Sequence, residues 1–308
     1  MTKTVAVFFD RPGRDEAPLD ESDYIVAYGE FAHALRKRDA DLYMVRSQET
    51  YKGDNVFSGG WKFADGNLER VNGEIDADVI FNKGGLKWER DANVINVTEV
   101  EELCTNKSKT YAMFPQFSMQ TFVVHNGDEL RKACDAIHGK FIVAKPLNKE
   151  GGSGVFIADK EEILRSIAEF PYIVQEFIDT NAGIPGLMSG IHDFRIASVN
   201  GSITHCYYRT PPPGKLLANV AQGGEMHFLQ EKDIPDDAMK VFREVEEYMK
   251  RFPRRVYSVD MGRHSDGSWK IIELNSKPGL LPRKYDDGMK RFQEHVADLL
   301  IEAAENVR

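Results

Sequence analysis

Two carboxylates and a carboxamide near the C-terminus stand where a hairpin would gather them: Asp260 in Val259-Asp260-Met261, and Glu273 and Asn275 in Ile272-Glu273-Leu274-Asn275. Asp266-Gly267, between the two runs, is a strong signal for a two-residue hairpin turn. A turn centred there pairs Ser265 with Ser268, and hence Asp260 with Glu273; Asn275, two residues on, returns to the same face. Like charges directly opposed across a ladder destabilise it. An Asp–Glu pair flanked by Val, Ile and Leu therefore makes physical sense chiefly around a hard cation, and oxygen donors of this kind suit Mg²⁺ or Mn²⁺. The competing reading is a solvated acidic pair on an open sheet face.

A second group could hold anions. Lys145 ends the apolar run Phe141-Ile142-Val143-Ala144 and precedes Pro146, which puts its ammonium at a strand terminus facing the loop Asn148-Lys149-Glu150-Gly151-Gly152-Ser153-Gly154. Glycines let backbone N–H groups approach phosphate oxygens without a side chain in the way. The loop has neither the Gly-Lys-Ser/Thr ending of a Walker A motif nor a full dinucleotide fingerprint. Glycine loops more often make plain hairpins, so this one gains weight only in company.

The elements that must position these groups follow from periodicity. Strands at Val5 to Phe9, Leu42 to Val45 and Val79 to Phe81 alternate with a helix from Tyr24 to Leu35, capped by Ser22 or Asp23, which predicts a small parallel sheet with crossover helices. Residues 51–73, rich in Gly, Asn and aromatics, read as a hairpin excursion; residues 10–20 follow the C-terminal end of the first strand, where open α/β sheets place ligands, though a plain surface loop is the favoured reading. From Asn106 the pattern becomes α+β: a short helix to Phe114, a strand at Thr121 to Val124, helices at Asp128 to Ile137 and Lys160 to Phe170, and strands at Phe141 to Ala144, Val155 to Ala158 and Tyr172 to Phe177. Two hairpins, turning at Asn200-Gly201 and Asp266-Gly267, flank a helix from Asp236 to Arg251, and a helix from Asp287 to Ala304 closes the chain.

In this order the fragments resemble the ATP-grasp superfamily, and most closely its ribosomal-protein-S6 glutamate ligase and bacterial glutathione synthetase branch, over residues 106 to 280. Asn106-Lys107-Ser108-Lys109-Thr110 is similar to the family's Asp-Lys-x-x-Ser/Thr, with Asn in place of Asp. The resemblance makes Lys107 and Lys145 the phosphate lysines and Gly152, Ser153 and Gly154 part of a mobile lid. Gln175-Glu176-Phe177-Ile178-Asp179 resembles the segment that reads adenine through its backbone and holds ribose through an acidic group. His192-Asp193-Phe194-Arg195 resembles the family's Asp-Ile-Arg, with Asp193 in the nucleotide pocket and Arg195 on the phosphates. Arg209 and Asn219 fall at the intervals of residues that stabilise the intermediates and lie beside the ATP phosphates, and Asp260, Glu273 and Asn275 fall on the magnesium ligands.

The resemblance implies an ATP-grasp fold of mixed α/β and α+β class: a pre-ATP-grasp domain at 1–105, a lid subdomain at 106–178 and a catalytic subdomain at 179–308. It implies ATP and one or two Mg²⁺ (or Mn²⁺), and an ADP-forming ligase that joins a carboxylate donor to an amine acceptor, an amino acid or peptide, through an acyl phosphate. The alternatives are a kinase of the same superfamily acting on a small-molecule hydroxyl, and a non-catalytic ATP-binding module. Two departures bear on the acceptor: Leu217, after Pro211-Pro212-Pro213, stands where the glutamate ligases carry an arginine, and Lys83 stands at another arginine position. Strict pairing about Asn200-Gly201 puts Arg209 opposite His192 and on the other face from Arg195, so either a bulge rotates it or one arginine is structural.

The whole chain narrows the classes further. Its 308 residues are 42% hydrophobic and 29% charged, ordinary for a soluble globular protein. A net charge of −9 disfavours a nucleic-acid groove. No apolar run is long enough to span a bilayer, and the N-terminus leads straight into a strand rather than a signal-peptide core, which points to the cytoplasm. Cys104, Cys134 and Cys206 are read as reduced core thiols, His192, His205 and His227 as surface or hydrogen-bonded groups rather than zinc ligands, and Tyr207 and Tyr208 as sheet packing. An oligomer is compatible with all of this.

Overall fold

The computed structural model describes residues 2–13, 16–64, 67–85, 88–89, 92–147, 154–218, 220 and 223–306. The chain opens with strand Lys3–Phe9 (β1), helix Ser22–Arg36 (α1) and strand Ala40–Arg46 (β2). The hairpin Gly60–Ala64 (β3) and Asn67–Val71 (β4) follows, then strands Val79–Asn82 (β5) and Val94–Ile95 (β6). They form one sheet in the order β4-β3-β2-β1-β5-β6. β1 runs parallel to β2 and β5, and β5 parallel to β6, while the hairpin extends the β2 edge antiparallel. The expected parallel sheet and hairpin excursion are both present. A central parallel strand covered on both faces is apolar throughout, as β1 is from Val5 to Phe9.

The N-terminus of α1 differs from the expectation. Glu21, not Ser22 or Asp23, is the cap residue and makes no side-chain cap bond; Asp23 instead accepts from Lys284 and Tyr285, near the other end of the chain. The segment after β1 is not a plain surface loop either. Arg46, only 1% exposed, donates to the carbonyls of Arg11 at 2.9 Å, Glu16 at 2.7 Å and Ala17 at 3.2 Å, and lies over the Phe9 ring. Asp10 accepts from the N–H of Gly85, which fastens the loop after β1 to the loop after β5.

Helices Thr98–Thr105 (α2) and Lys107–Met113 (α3) meet at Asn106, whose side chain caps α3 by accepting from Lys109 N at 3.2 Å. The Asn that departs from the family's Asp thus keeps the cap. Strand Thr121–Val124 (β7), helix Gly127–Ala136 (α4), strands Ile142–Pro146 (β8) and Phe156–Ala158 (β9), helix Lys160–Ser166 (α5) and strand Tyr172–Glu176 (β10) make a second sheet, ordered β7-β10-β8-β9. Val124, Ile142, Ala144 and Val174 bury one face against Leu130, Ala133 and Ile163 of α4 and α5. The other face therefore presents Val143, Lys145 and Gln175, by the period of two. α5 stops at Ser166, with Ile167 already extended, short of the expected Phe170; Phe170 itself, before Pro171, is disfavoured in helical backbone.

The third sheet holds Asp193–Val199 (β11), Ser202–Thr210 (β12), Glu225–Leu229 (β13), Val256–Arg263 (β14) and Trp269–Asn275 (β15), in the order β13-β12-β11-β14-β15. Helix Asp236–Met249 (α6) supports it, with Val241, Phe242 and Val245 packed on Phe194, Ile196, Val259, Met261 and Leu274. The last helix, Asp287–Glu305 (α7), returns to the first sheet, where Phe292, Val296 and Leu300 share a core with Val5, Phe31 and Leu35. Among the described residues no helix is long and apolar enough to cross a membrane, and the three cysteines are buried and unbridged. Replacing Arg46 with Met should remove the guanidinium bonds to three carbonyls, destabilise the fold by about 1–3 kcal/mol in urea unfolding, and speed amide exchange at Leu19, whose N–H donates to Glu16.

Candidate functional site

The third sheet carries a row of charge across its strands. Arg195 on β11 pairs in register with Tyr207 on β12 and with Asp260 on β14, and Asp260 pairs with Glu273 on β15. In the adjacent row Asp193 pairs with Arg209. The opposite face is the apolar one on α6, so alternation alone puts these side chains on a single surface.

Two bulges make that registry. Asn200 and Gly201 both adopt left-handed backbone, at φ 47° and 86°, as the two-residue turn requires. Pairing then slips at Thr204, which sets Ala197 opposite His205 and turns Arg209 onto the face of Arg195. Of the two alternatives open from sequence, the bulge is the one present.

The second hairpin turns on three residues rather than two. His264 N donates to Ser268 O at 2.8 Å, Gly267 N donates to His264 O at 2.9 Å, and Gly267 lies at φ 89°. Met261 consequently faces Ile271, one residue off the two-residue expectation, until a bulge at Ile272 restores Asp260 opposite Glu273. Two offsets of one residue cancel.

Asp260 is 1% exposed. Its Oδ1 accepts from Arg195 Nε, and its Oδ2 accepts from Arg195 Nη2 and, at 3.0 Å, from Arg209 Nη2. Arg209 Nε donates to Asp193 Oδ1 at 2.6 Å. Burial alone would push the Asp260 carboxyl up, but the charges of Arg195 and Arg209 outweigh it and hold it below the ordinary range. Burial, opposed by Arg209 and reinforced by Asp260, pushes Asp193 up to about 6. Both guanidinium carbons lie 5.8 Å from the centre of the Tyr207 ring, so Tyr207 belongs to the charged surface and is not sheet packing alone.

Glu273 and Asn275 open onto a cleft of about 640 Å³ that is also lined by Lys107, Ser108, Lys109, Leu147 and Lys277. Asn275 Nδ2 lies 3.4 Å from Glu273 Oε1, so the two side chains face one another. Asp260 lies beneath them rather than in the cleft wall. Its Oδ1 nevertheless keeps one lone pair beyond the bond from Arg195, so these residues together form an oxygen-only donor set of the kind a hard divalent cation takes. Among the described residues no three His, Cys, Asp or Glu side chains converge as a metal site. His192 and His205 are buried, and the His227 ring stacks on Tyr208.

Between the second and third sheets lies a smaller cavity of about 100 Å³. Val143, Val155, Ile157, Phe177, Ile178, Leu217 and Ile272 make it largely apolar, and Lys145, Gln175, Thr180, His192 and Asp193 are its polar members. Lys145, 9% exposed, donates to Tyr111 Oη and Gln175 Oε1, both at 3.2 Å, and makes no ion pair among the described residues. The Glu176 and Phe177 N–H groups are already donated, to the Gln120 and Phe141 carbonyls. Asp179 is exposed and accepts from Asn181 N, and neither it nor Glu176 lines the cavity. Gly154 is described, at φ 70°; Gly152, Ser153 and Asn219 lie outside the described residues.

Residues 107–252 match the family described as the ATP-grasp domain of prokaryotic glutathione synthetase. Over these residues the chain is similar to an ATP-grasp domain. It is 26% identical over 166 residues to a probable alpha-L-glutamate ligase of Hahella chejuensis, a match that covers 52% of this chain and 50% of that protein. The chain thus spans about half the length of the curated relatives it matches. Its ATP-grasp fold superposes on the D-alanyl-alanine synthetase A of Vibrio cholerae with a TM-score of 0.65 at 14% identity, covering 99% and 100% of the two chains. A Chryseobacterium gregarium RiPP-associated ATP-grasp ligase, solved with ADP and a leader and core peptide, superposes at 0.64 with 12% identity over 97% of each chain.

Beside the ATP-grasp cleft lies a basic cluster only partly anticipated. Lys83 donates to Pro278 O at 2.7 Å, and Lys277 bonds Gly84 O and pairs with Glu101 at 3.0 Å. Burial, then the charge of Lys277, pushes Lys83 down to about 7. Between that value and the ordinary lysine range, about 10.4, the unfolded chain binds the extra proton, so the wild type gains stability as pH rises. The Tm of Lys83→Met relative to wild type should therefore be highest below pH 7 and fall steadily toward pH 10; a flat difference would contradict the shift. Replacing Asp260 with Asn strips two buried guanidiniums of their shared counter-charge and should cost about 3–5 kcal/mol in denaturant unfolding.

Proposed function

We propose that the protein is an ATP- and Mg²⁺-dependent carboxylate–amine ligase that forms an amide bond through an acyl phosphate, on an amino acid or peptide. One observation carries the reading: a buried ammonium, Lys145, held among the described residues by neutral acceptors alone, stands in a largely apolar slot between two antiparallel sheets. An anion with a flat apolar head fits such a slot, and ATP is one. In this reading residues 106–178 supply the lid side, 179–308 the catalytic side, and 1–105 the flanking domain. The adenine ring lies among Val143, Ile157 and Ile178, Gln175 and the backbone from Glu176 to Ile178 run along its edge, and Asp179 and Asp193 stand near the sugar.

Phosphoryl transfer asks mainly for alignment and charge neutralisation. Lys107 and Lys145 bind the phosphates, the lid glycines Gly152, Ser153 and Gly154 cover them, and Asn219 stands beside them. Glu273, Asn275 and Asp260 would hold the divalent cation, which neutralises charge on the phosphate oxygens. A substrate carboxylate oxygen attacks the γ-phosphorus, the bond to the β-phosphate oxygen breaks, and ADP leaves. An amine then adds to the acyl carbon. As the carbon–oxygen bond to phosphate breaks, the amine loses a proton and the phosphate departs with the carboxylate's oxygen. Arg195 and Arg209 face that departing charge from the sheet, and lid closure excludes water from the acyl phosphate. The alpha-L-glutamate ligase relatives and the peptide-bound structural neighbour support an amino-acid or peptide substrate.

Screening amino acids and peptides for Mg²⁺-dependent ADP release should find an amine-dependent reaction, and Glu273→Ala should lower its rate by about 10²-fold or more. With an ¹⁸O-labelled carboxylate the label should appear in free phosphate. A stable phosphoester product, or unlabelled phosphate, would exclude this route.

A further inference from the structure

We infer that Tyr111 is a positioning residue: its hydroxyl holds Lys145 at a set distance from the hairpin that carries Glu273 and Asn275. This rests on the nucleotide reading above and deepens it. The bulge in β15 leaves Ile272 without a paired residue on β14. The Tyr111 hydroxyl, on α3 and buried, donates to that carbonyl at 2.6 Å. The same oxygen accepts from Lys145 Nζ at 3.2 Å.

Beyond the lysine the chain of bonds continues. Lys145 donates to Gln175 Oε1 at 3.2 Å, Gln175 Nε2 donates to Thr121 Oγ1 at 2.8 Å, and Thr121 Oγ1 donates to Met119 O at 2.8 Å. The ammonium is therefore clamped between the two sheets that form the slot, through an oxygen on either side. A hydroxyl is required at Tyr111 because one group must donate to a carbonyl and accept from an ammonium at once. A carboxylate could not donate to Ile272, and it would neutralise the charge meant for a ligand. Both acceptors of Lys145 being neutral, the clamp fixes the position of the ammonium and leaves its charge available. The carbonyl that anchors the lysine thus belongs to the bulged residue that also brings Glu273 opposite Asp260.

Tyr111→Phe keeps the ring, which lies 5.7 Å from Lys145 Nζ, and removes only the hydroxyl. The readout is the ratio of ADP to adenosine affinity, by calorimetry with Mg²⁺ on the full chain, because Lys145 addresses the phosphates and not the nucleoside. In Tyr111→Phe that ratio should fall about tenfold, the loss of one hydrogen bond to a charged group, with adenosine affinity unchanged. An unchanged ratio, or an equal loss for both ligands, overturns the assignment, since a purely structural tyrosine would weaken both together. If wild type binds neither ligand, the nucleotide reading itself fails; if wild type binds both and the variant matches it, only the role of Tyr111 fails. Should Tyr111→Phe not fold, Gln175→Leu removes the other acceptor of the clamp, and the same fall or constancy of the ratio decides.

Discussion

The sharing of one buried carboxylate by two arginines is the constraint that orders the rest of the molecule. Asp260 is enclosed on a sheet whose other face is apolar, and a lone ion there would cost several kcal/mol. It is stable because Arg195 and Arg209 reach it from two neighbouring strands, and because Asp193 takes the remaining charge of Arg209. The arrangement alternates in sign across β11, β12 and β14, so no charge has a like neighbour as its nearest partner. Glu273, next along the row, faces the cleft. The buried part of the row thereby sets the orientation of the exposed part.

Such a row can exist only if strand registry is held to a single residue, because a slip of one sends every side chain to the opposite face. Here the registry comes from departures from ideal pairing. Without the bulge at Thr204, Arg209 would face α6 and Asp260 would keep one arginine. Without the bulge at Ile272, the three-residue turn would set Asp260 opposite Ile272. Both extra residues lie between the turn and the charged row, so each corrects the strand before the ions must meet.

The parts of the fold legible in the sequence were those in which local chemistry and tertiary demand agree. Val5 to Phe9, the turn at Asn200-Gly201 and the apolar stripe of α6 each specify their element unaided. Asp260 opposite Glu273 was also legible, but through a turn of the wrong length that the bulge compensates. Bulges are settled by what the whole strand must bury, and no residue at Thr204 or Ile272 announces one. Arg46 was invisible for a similar reason: its partners are backbone carbonyls of residues 11, 16 and 17, which carry no side-chain signature. Tyr207 read as packing, and Tyr111 was not singled out at all, because a tyrosine's apolar body satisfies a core pattern whatever its hydroxyl or ring face does.

The division between cavity and cleft bears on where selectivity resides. The apolar cavity is built from strand residues and from residues 216–218, and its shape follows from two sheets that pack independently on α4, α5 and α6. Such a wall suits a ligand part that stays constant through a reaction. The space beyond Glu273 is different: it is bordered by Lys277 and, through Pro278, by Lys83, and so by elements from both ends of the chain. Lys83 is also a position at which the sequence departs from the pattern it resembles. Tyr24, at the start of α1, comes close enough to Gly279 that a side-chain carbon there would meet its hydroxyl at 3.2 Å. Tyr24 also lies within electrostatic reach of Tyr207 and Arg195, so the seam between the first sheet and the turn after β15 adjoins the charged row. In the proposed reaction the choice of substrate at that seam and the chemistry on the row would therefore be coupled through Tyr24.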